Sequence, residues 1–377
     1  MKTVGIICEY NPFHNGHAKQ LRSIEGNKVC LMSGNFVQRG EPAIFDKYTR
    51  AKAAVLCGAD LVLELPLTYA IRSAEGFADG GVELLSRMGC VDALSFGSEC
   101  GSVLDIMSTT RLLLSDDFPE ALRKELAAGC SFPAARQRAV TALGGNGALL
   151  SQPNNILAVE YCKAILKYGN KLAPLTITRD GSYHESCDPQ NPSATTLRST
   201  DAWSGFIPEA ALSVFQDAPR YSIAAGERAW LGRLRSMTET EFEALPYGSE
   251  GLWRKVFHAC RSEATLEGIL AAAKSKRYTH TRLMRLLLCA LLGISGEMLN
   301  KPAPYVRILA ANETGLQILR QIKQHGELTL INAGETPPDQ DYFALERRAS
   351  DLYGLFCSSE LPPIGAEKSA RIFLHRS

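Results

Sequence analysis

Five short apolar runs in the first half of the chain constrain how it can fold. They lie at residues 3–8, 28–32, 60–65, 93–96 and 175–178. Between them are segments with helical periodicity, at 14–25, 47–57, 74–88, 102–114, 120–128 and 155–168. Parallel strands are buried on both faces of a sheet and need crossover helices between them. The pattern therefore predicts an α/β fold with a Rossmann-like parallel sheet.

The second half of the chain has a different pattern. From about residue 201 the strand signals fade, and seven segments fit short amphipathic helices, at 209–215, 227–236, 251–259, 266–274, 282–292, 315–325 and 343–356. With 377 residues, the chain exceeds the roughly 250–300 at which a single core stops growing. We therefore expect two domains, an α/β domain at residues 1–200 and a mostly α-helical C-terminal domain at residues 201–377.

The net charge of the chain hides a difference between its parts. Its 41 Lys and Arg against 40 Asp and Glu give +1, which excludes a uniformly basic nucleic-acid coat. Residues 251–377 contain 17 cations and 12 acids, however, so this part has a charge of +5 and leaves −4 for residues 1–250. The C-terminal part is therefore the place to look for contact with RNA.

A cation cluster at residues 274–285 is the candidate RNA contact. It contains five cations, no acid, and two rings that could stack on an unpaired base: Lys274, Lys276, Arg277, Tyr278, His280, Arg282 and Arg285. The alternative is the basic face of an amphipathic helix that packs its leucines in the core. Four more cations could extend an RNA-binding surface: Arg307, Lys323, Arg347 and Arg348.

Eleven cysteines are spread evenly along the chain without a C-x-x-C pair. The odd number and the spacing fit neither a disulfide framework nor a zinc site, so we expect buried thiols in a reducing compartment. The apolar run at 3–8 is too short for a signal peptide, and the longest run, at 286–294, is about half a membrane span. We expect a cytoplasmic protein without a membrane partner.

The most specific motif is H-x-G-H at residues 14–17, between the first predicted strand and the first predicted helix. A helix N-terminus offers free backbone N–H groups and a dipole that favours an anion. Gly16 lets the backbone approach a phosphate, and His14 and His17 could donate hydrogen bonds to phosphate oxygens and stabilise charge as phosphorus is attacked. The alternative is a helix-capping turn with incidental histidines. We predict a phosphate-binding turn with His14 and His17 as the catalytic residues.

Two residues that follow predicted strands are further candidates. Gly101 follows the fourth run, where a ribose or base would pass close to the backbone. Arg179 follows the fifth run, where its guanidinium could pair with phosphate or form a surface salt bridge. Residues 193–198 place hydroxyl groups and Arg198 at a helix start, which suits either a phosphate or a simple N-cap.

Several charged residues have two interpretations from sequence alone. Lys47, Arg50 and Arg39 either face the crevice or lie on a solvated surface, and His184 either gates a nucleotide or has a structural role. Glu9 and Asp46 could help to hold Mg²⁺ on a triphosphate. A metal site of His14, His17 and Glu9 lacks the i, i+4 histidine spacing of zincins, so we predict no protein-held metal.

Seven segments of the chain together resemble one family. They are EYNPFHNGH (9–17), MSGNFVQRGEPA (32–43), DKYTRA (46–51), LSFGSECG (94–101), PNNIL (153–157), KRYTHTRL (276–283) and YVRIL (305–309). The H-x-G-H turn resembles the nucleotidylyltransferase superfamily, and the full set is similar to its bacterial tRNA(Met) cytidine acetate ligase family over nearly the whole length. The resemblance implies a nucleotidylyltransferase-like catalytic domain followed by a tRNA-binding helical domain.

The resemblance implies a reaction in two steps. Acetate attacks the α-phosphate of ATP, which gives acetyl-adenylate and pyrophosphate, and the N4 amine of the wobble cytidine of elongator tRNA(Met) then takes the acetyl group and releases AMP. ATP is thus a substrate, accompanied by Mg²⁺, and acetate and the tRNA are the partners. The residues of the acetate pocket, a general base for the second step and the oligomeric state do not follow from the sequence.

The family's ATP site maps onto this chain residue by residue. Of the neighbouring asparagines 154 and 155 we favour the first. The resulting ATP-binding set is Ile7, Cys8, Glu9, Tyr10, Asn11, Pro12, Phe13, His14, Asn15, Gly16, His17, Ala18, Lys19, Gln20, Gly101, Asn154 and Arg179.

Two other functions are compatible with the H-x-G-H turn. One is a small-molecule adenylyltransferase that acts on a phosphorylated cofactor precursor, although that chemistry fits in a much smaller single domain. The other is an RNA-binding protein that uses ATP only as a structural ligand, against which the combination of H-x-G-H, Arg179 and the 193–198 segment argues.

Overall fold

A single sheet organises the chain. The computed structural model describes residues 1–179, 194–198, 203, 205–275 and 278–376. In this part of the chain the strands are β1 Thr3–Cys8, β2 Asn27–Ser33, β3 Leu61–Leu65, β4 Ala93–Ser98, β5 Ala173–Thr178, β6 Val306–Ala311, β7 Leu330–Asn332 and β8 Phe373–Leu374. They pair in the order β5-β4-β1-β2-β3-β6-β7, and β8 also pairs with β6.

Helices connect and cover these strands. In the first half they are α1 Asn15–Ser23, α2 Lys47–Leu56, α3 Leu67–Ala70, α4 Ala74–Arg87, α5 Val103–Leu113, α6 Phe118–Ala127, α7 Phe132–Ala142, α8 Pro153–Lys167 and α9 Ala194–Arg198, with a 3-10 helix at Gly147–Ser151. In the second half they are α10 Glu209–Phe215, α11 Ile223–Ser236, α12 Glu239–Glu243, α13 Leu252–Ser262, α14 Leu266–Ala273, α15 His280–Leu292, α16 Gly296–Asn300, α17 Glu313–His325, α18 Gln340–Gly354 and α19 Ala366–Ser369. None of the described helices is long and apolar enough to cross a membrane.

The α/β fold with a mainly parallel sheet is confirmed. Strands β1 to β5 are parallel to one another, and all five lie where the apolar runs predicted them. The six helices predicted between them are present, with ends that differ by at most a few residues. The ten cysteines in the described part of the chain are free thiols.

Strands β6, β7 and β8 were not predicted. β6 pairs antiparallel with β3, so the second half of the chain extends the sheet of the first half. The pattern was missed because Arg307 interrupts the apolar run, although every residue of β6 is buried. The seven predicted helices of the second half are present. The division into domains at residue 200 stays a prediction.

The strand order places a crevice at one edge of the sheet. The chain runs from β1 to β2 on one side, and later places β4 on the other side of β1. At such a reversal of strand order the connections leave in opposite directions, and ligands bind outside the carboxyl ends of the two strands. The H-x-G-H turn follows β1 and Gly101 follows β4, so both lie at this edge.

Both faces of β1 are buried. Val4 and Ile6 pack in the cluster that also contains residues of α1 and α2, whereas Ile7 packs with α4 on the other face. A Cβ on Gly81 of α4 would lie 2.5 Å from Cδ1 of Ile7, so the glycine allows the close approach of helix and strand. This packing fixes the position of β1 and of the turn that follows it.

A buried network of charged side chains joins α2 to the C-terminal region. Lys47 Nζ lies 2.7 Å from a Glu64 oxygen and 2.6 Å from a Glu367 oxygen. Arg307 lies 3.3 Å from Glu367 and 2.8 Å from Glu346. Burial acts to lower the pKa of Lys47, but the carboxylates of Glu367 and Glu64 outweigh it and raise that pKa. Each buried charge therefore depends on its partners.

Substitution of Lys47 tests this network. Lys47→Met would remove the cation nearest to the buried Glu64 and Glu367 and leave Arg307 to balance both, so we expect a loss of about 3–5 kcal/mol in the free energy of unfolding. Lys301→Met is the matched control, because Lys301 is exposed and lies 3.5 Å from Asp339; its loss should stay below about 1 kcal/mol. Denaturant titration measures both, and equal losses would contradict the assignment.

Candidate active site

The two imidazoles of the H-x-G-H turn accept hydrogen bonds from the backbone of the same turn. His14 is the N-cap of α1, and its Nδ1 accepts a hydrogen bond from Gly16 N at 3.1 Å. His17 Nδ1 accepts from His14 N at 3.3 Å, and the two ring centroids lie 3.8 Å apart. Because both Nδ1 atoms accept from the backbone, each neutral ring carries its hydrogen on Nε2. The turn thus provides two Nε2–H donors.

Burial keeps both rings neutral. Burial, and after it the positive charge of Arg179, lower the pKa of His14 from 6.5 to about 4. Burial, followed by the charges of His14 and Arg179, holds the pKa of His17 well below its ordinary value. Among the described residues, His14 Nε2 is buried and has no hydrogen-bond partner. A buried donor without a partner is costly unless a ligand satisfies it.

Long-range hydrogen bonds fix the turn from outside. Arg50 is fully buried, and its guanidinium donates to the carbonyl oxygens of Glu9, Gly34 and Phe45. Arg198 Nη1 donates to Asn11 O at 2.9 Å. The sequence left open whether Arg50 and Lys47 reach into the crevice or lie on a solvated helix face. Both side chains are instead buried.

The second part of the site lies beyond β4 and β5. Gly101 has φ +62°, and a Cβ there would lie 2.1 Å from Thr178 Oγ1, so only glycine fits. Arg179 follows β5, its N donates to Ser98 O at 2.9 Å, and its Nη1 donates to Asn154 Oδ1 at 2.9 Å. The structure thus brings Gly101, Asn154 and Arg179 together at the predicted edge, and Arg179 acts on both histidines.

The two neighbouring asparagines differ in position. Asn155 is buried, and its Oδ1 accepts from Glu99 N and Cys100 N at 3.0 and 3.1 Å. Asn154 is only partly buried and contacts Arg179. Glu99 accepts from both, although the sequence analysis assigned it no role. The only signal for Glu99 was its place directly after a strand.

The remaining predicted ATP-binding residues divide by exposure. The side chains of Ile7, Tyr10, Phe13 and Ala18 are buried in the core, so only their backbone can meet a ligand. Gln20 Nε2 donates to Ser95 O at 3.3 Å. Asn11 and Pro12 are also buried, whereas Cys8 and Glu9 are half-buried and Asn15, Gly16 and Lys19 are exposed.

The two carboxylates considered for Mg²⁺ are engaged by the backbone. Glu9 Oε1 accepts from Gln38 N at 2.8 Å, and Asp46 caps α2 by accepting from Tyr48 N and Thr49 N. In the described ranges, no group of three or more His, Cys, Asp or Glu residues could hold a metal ion. Of the other candidates, His184 and Ser193 lie outside the described residues.

The predicted RNA contact at residues 274–285 is only partly exposed. Arg285 is 8% exposed and donates to Gln38 O, and Tyr278 is also buried, with its hydroxyl donating to Glu250 O at 2.6 Å. Neither can lie on an RNA-binding surface, and the fully buried Arg307 cannot extend it. These three assignments were wrong because a basic or aromatic residue in a sequence does not reveal its buried acceptor. Lys276 and Arg277 lie outside the described residues.

The parallel sheet and the H-x-G-H turn define a nucleotide-binding protein, and comparisons with known proteins agree. A family model described as HIGH Nucleotidyl Transferase matches residues 1–366, so the chain belongs to that family.

Its curated relatives are more specific. Proteins named tRNA(Met) cytidine acetate ligase from Clostridium tetani and Clostridium perfringens are 36% and 34% identical, over 88% and 94% of this chain and 90% and 95% of theirs. The crystal structure of Thermotoga maritima TmcAL bound with alpha-thio ATP matches 100% of both chains with a TM-score of 0.90 at 30% identity. The chain belongs to the tRNA(Met) cytidine acetate ligase family, as its motifs predicted.

The histidine geometry makes a prediction about pH. We expect His14 to titrate near pH 4, because burial disfavours its cation. Since the unfolded chain takes up this proton near pH 6.5, the free energy of unfolding should fall as the pH drops from about 6.5 to about 4. NMR titration of the ring Cε1–H signal measures the pKa, with His14→Gln to assign the signal. A midpoint near 6.5 would contradict the buried neutral ring.

Proposed function

We propose that this protein activates acetate with ATP and transfers the acetyl group to N4 of the wobble cytidine of elongator tRNA(Met), which forms N4-acetylcytidine. One observation carries the proposal: two neutral imidazoles present Nε2–H donors at the N-terminus of α1, in a chain of the tRNA(Met) cytidine acetate ligase family. The ATP-binding residues are those of the set predicted from the sequence.

The charges at two helix N-termini orient the nucleotide. The first turn of α1 contains no acid, and its first backbone N–H groups already donate to Phe206 O and to His14, so the Nε2–H groups of the two histidines are the donors that take the triphosphate. The N-terminus of α8 is different, because Glu99 Oε2 accepts from Asn155 N at 2.7 Å. A carboxylate at that position disfavours phosphate. The triphosphate therefore lies along α1, and the nucleoside extends toward Gly101 and Asn154.

In the first step, an acetate oxygen attacks the α-phosphorus of ATP. The new bond joins this oxygen to phosphorus, and the bond from the α-phosphorus to the bridging oxygen breaks, so that pyrophosphate leaves with the electron pair. The Nε2–H groups of His14 and His17 donate to phosphate oxygens as charge develops. Because both rings are already neutral and oriented, no proton has to move before the reaction.

In the second step, the cytidine N4 attacks the acyl carbon of acetyl-adenylate. The N4–C bond forms, the bond from the acyl carbon to the AMP oxygen breaks, and N4 loses one proton. We assign no general base for this proton. Acetate needs the activation because it is a poor electrophile until AMP becomes its leaving group.

Mg²⁺ accompanies ATP in this proposal. Because Glu9 and Asp46 are engaged by backbone N–H groups, the ion would be held mainly by phosphate oxygens and water, which suits its preference for retained water ligands. It would neutralise part of the triphosphate charge.

One assay separates this function from its alternatives. The protein is incubated with ATP, labelled acetate and elongator tRNA(Met) transcript, and the RNA is digested to nucleosides. We expect label in N4-acetylcytidine, and none with a transcript that has uridine at the wobble position. Pyrophosphate exchange on another acceptor without acetate would instead support a small-molecule adenylyltransferase. No pyrophosphate exchange would support a non-catalytic RNA-binding protein.

The donor role of His17 predicts different exchange rates for two substitutions of this residue. His17→Ala removes the Nε2–H donor and should lower the rate of acetate-dependent pyrophosphate exchange about 100- to 1,000-fold. His17→Gln is the matched control, because its amide can place an N–H near the position of Nε2, and it should retain more of the rate than His17→Ala. Full activity of His17→Ala would remove the proposed role.

We further propose that the tRNA contacts α13, with Lys274 beside it. Residues 252–262 contain no acid, Arg254 and His258 are exposed, and Lys255 Nζ donates to Lys274 O at 3.3 Å. Such a face suits phosphate groups of RNA. Helix α15, which follows α13 and α14 in the chain, reaches toward the ATP site, because Arg285 of α15 donates to Gln38 O and Gln38 N donates to Glu9.

Charge reversal on α13 tests this contact. Arg254→Glu/Lys255→Glu should raise the KM for tRNA about tenfold or more and reduce its salt dependence, because two phosphate contacts are lost. Acetate-dependent pyrophosphate exchange without tRNA should be unchanged. Arg123→Glu/Lys124→Glu on α6 is the control, an exposed Arg-Lys pair in the other half of the chain. Equal effects of the two double variants would contradict a specific contact.

A further inference from the structure

Glu99, directly after β4, is hydrogen-bonded to both asparagines at the start of α8. Its Oε1 accepts from Asn154 N at 3.1 Å and from Asn154 Nδ2 at 2.7 Å, and its Oε2 accepts from Asn155 N at 2.7 Å. α8 has Pro153 in its first turn and no side-chain cap from Gln152. Glu99 thus caps this helix from another element.

These bonds also determine how the Asn154 amide is turned. A carboxylate can only accept, so the Nδ2 group of Asn154 must face Glu99 and its Oδ1 must point the other way. In that direction Oδ1 accepts from Arg179 Nη1 at 2.9 Å. The carboxylate, the amide and the guanidinium therefore form one chain of charge-assisted hydrogen bonds that ends beside the histidines.

Two contacts position Arg179 before its guanidinium is reached. Its side chain crosses Gly97, where a Cβ would lie 2.8 Å from Cδ of Arg179. Its backbone N is fixed by Ser98 O. What remains to be fixed is the guanidinium, and Asn154 Oδ1 does this.

We propose that Glu99 is a positioning residue for ATP, which acts through Asn154 on Arg179. It presents Asn154 Oδ1 as an acceptor, which suits a hydroxyl or amino donor of the nucleoside and not a phosphate. This inference rests on the proposed function, because it assigns a role within the same ATP site.

Acetate-dependent pyrophosphate exchange tests the inference. In Glu99→Gln an NH2 group replaces one of the two carboxylate oxygens. If this NH2 group faces Asn155 N, two donors oppose each other; if it faces Asn154, the Asn154 amide loses the acceptor that orients it. We expect the KM for ATP to rise about 10- to 100-fold, with an unchanged KM for acetate. Ser73→Ala, which removes the cap of α4, is the control for simple loss of a helix cap and should leave both KM values unchanged.

Asn154→Ala keeps the test valid if Glu99→Gln does not fold. This variant retains the bonds from Glu99 to the backbone of α8 and removes the amide that joins Glu99 to Arg179 and offers Oδ1 to the nucleoside. We expect a similar rise in the KM for ATP with an unchanged thermal midpoint. The double variant should be no worse than the more affected single variant, because Glu99 acts through Asn154.

The outcomes distinguish a failure of the role of Glu99 from a failure of the proposed function. A wild-type KM for ATP in Asn154→Ala, or strictly additive effects in the double variant, would overturn the role of Glu99 while the proposed function stands. Failure of the wild-type protein to exchange pyrophosphate in the presence of acetate would overturn the proposed function itself.

Discussion

The guanidinium of Arg50 binds three backbone carbonyls at the carboxyl edge of the sheet, and the arrangement of the site depends on it. Two of these carbonyls, of Glu9 and Gly34, belong to the segments that leave β1 and β2. One turn earlier on the same helix, Lys47 binds Glu64 of β3 and Glu367 near the C-terminus. Helix α2 therefore fastens three strand ends and the C-terminal region with two buried cations.

This anchoring explains how a turn of small and polar residues stays in place for chemistry. The H-x-G-H turn packs on β1, and its outer side is fixed by Arg50 and by Arg198. Preorganised donors need no rearrangement when charge develops, which is the main source of electrostatic stabilisation in such sites. The cost, among the residues that the structure describes, is a buried donor without a partner at His14 Nε2.

The site also contrasts two helix N-termini. At α1, the first turn contains no acid and two neutral imidazoles present donors at the positive end of the helix dipole, which favours a triphosphate. At α8, the carboxylate of Glu99 occupies the equivalent position. The same physical effect thus attracts phosphate at one end of the crevice and disfavours it at the other, which gives the nucleotide a direction.

The sequence predicted the parts of the molecule that depend on local pattern. The strands β1 to β5, the helices between them and the H-x-G-H turn follow from apolar runs and from residues adjacent in the chain. The missed features depend on partners far away in the chain. Strand β6 was hidden by Arg307, whose charge is balanced by Glu346 and Glu367.

The environment of the charged side chains also depends on partners that are distant in the chain. The sequence left Arg50 either in the crevice or on a solvated surface and suggested Arg285 as an RNA contact, because their acceptors are carbonyls that no sequence pattern reveals. Glu99 was visible only as an acid after a strand, since its role comes from a helix that begins some fifty residues later. Burial of a charge is a property of the tertiary structure and not of the local sequence.

The most direct test of the central claim follows oxygen from acetate. If acetate attacks the α-phosphorus of ATP, its attacking oxygen stays on phosphorus when N4 of cytidine takes the acetyl group. With acetate labelled with ¹⁸O at both oxygens, mass spectrometry should therefore find one ¹⁸O atom in the AMP released with N4-acetylcytidine. Unlabelled AMP, or ADP together with labelled inorganic phosphate, would contradict the account.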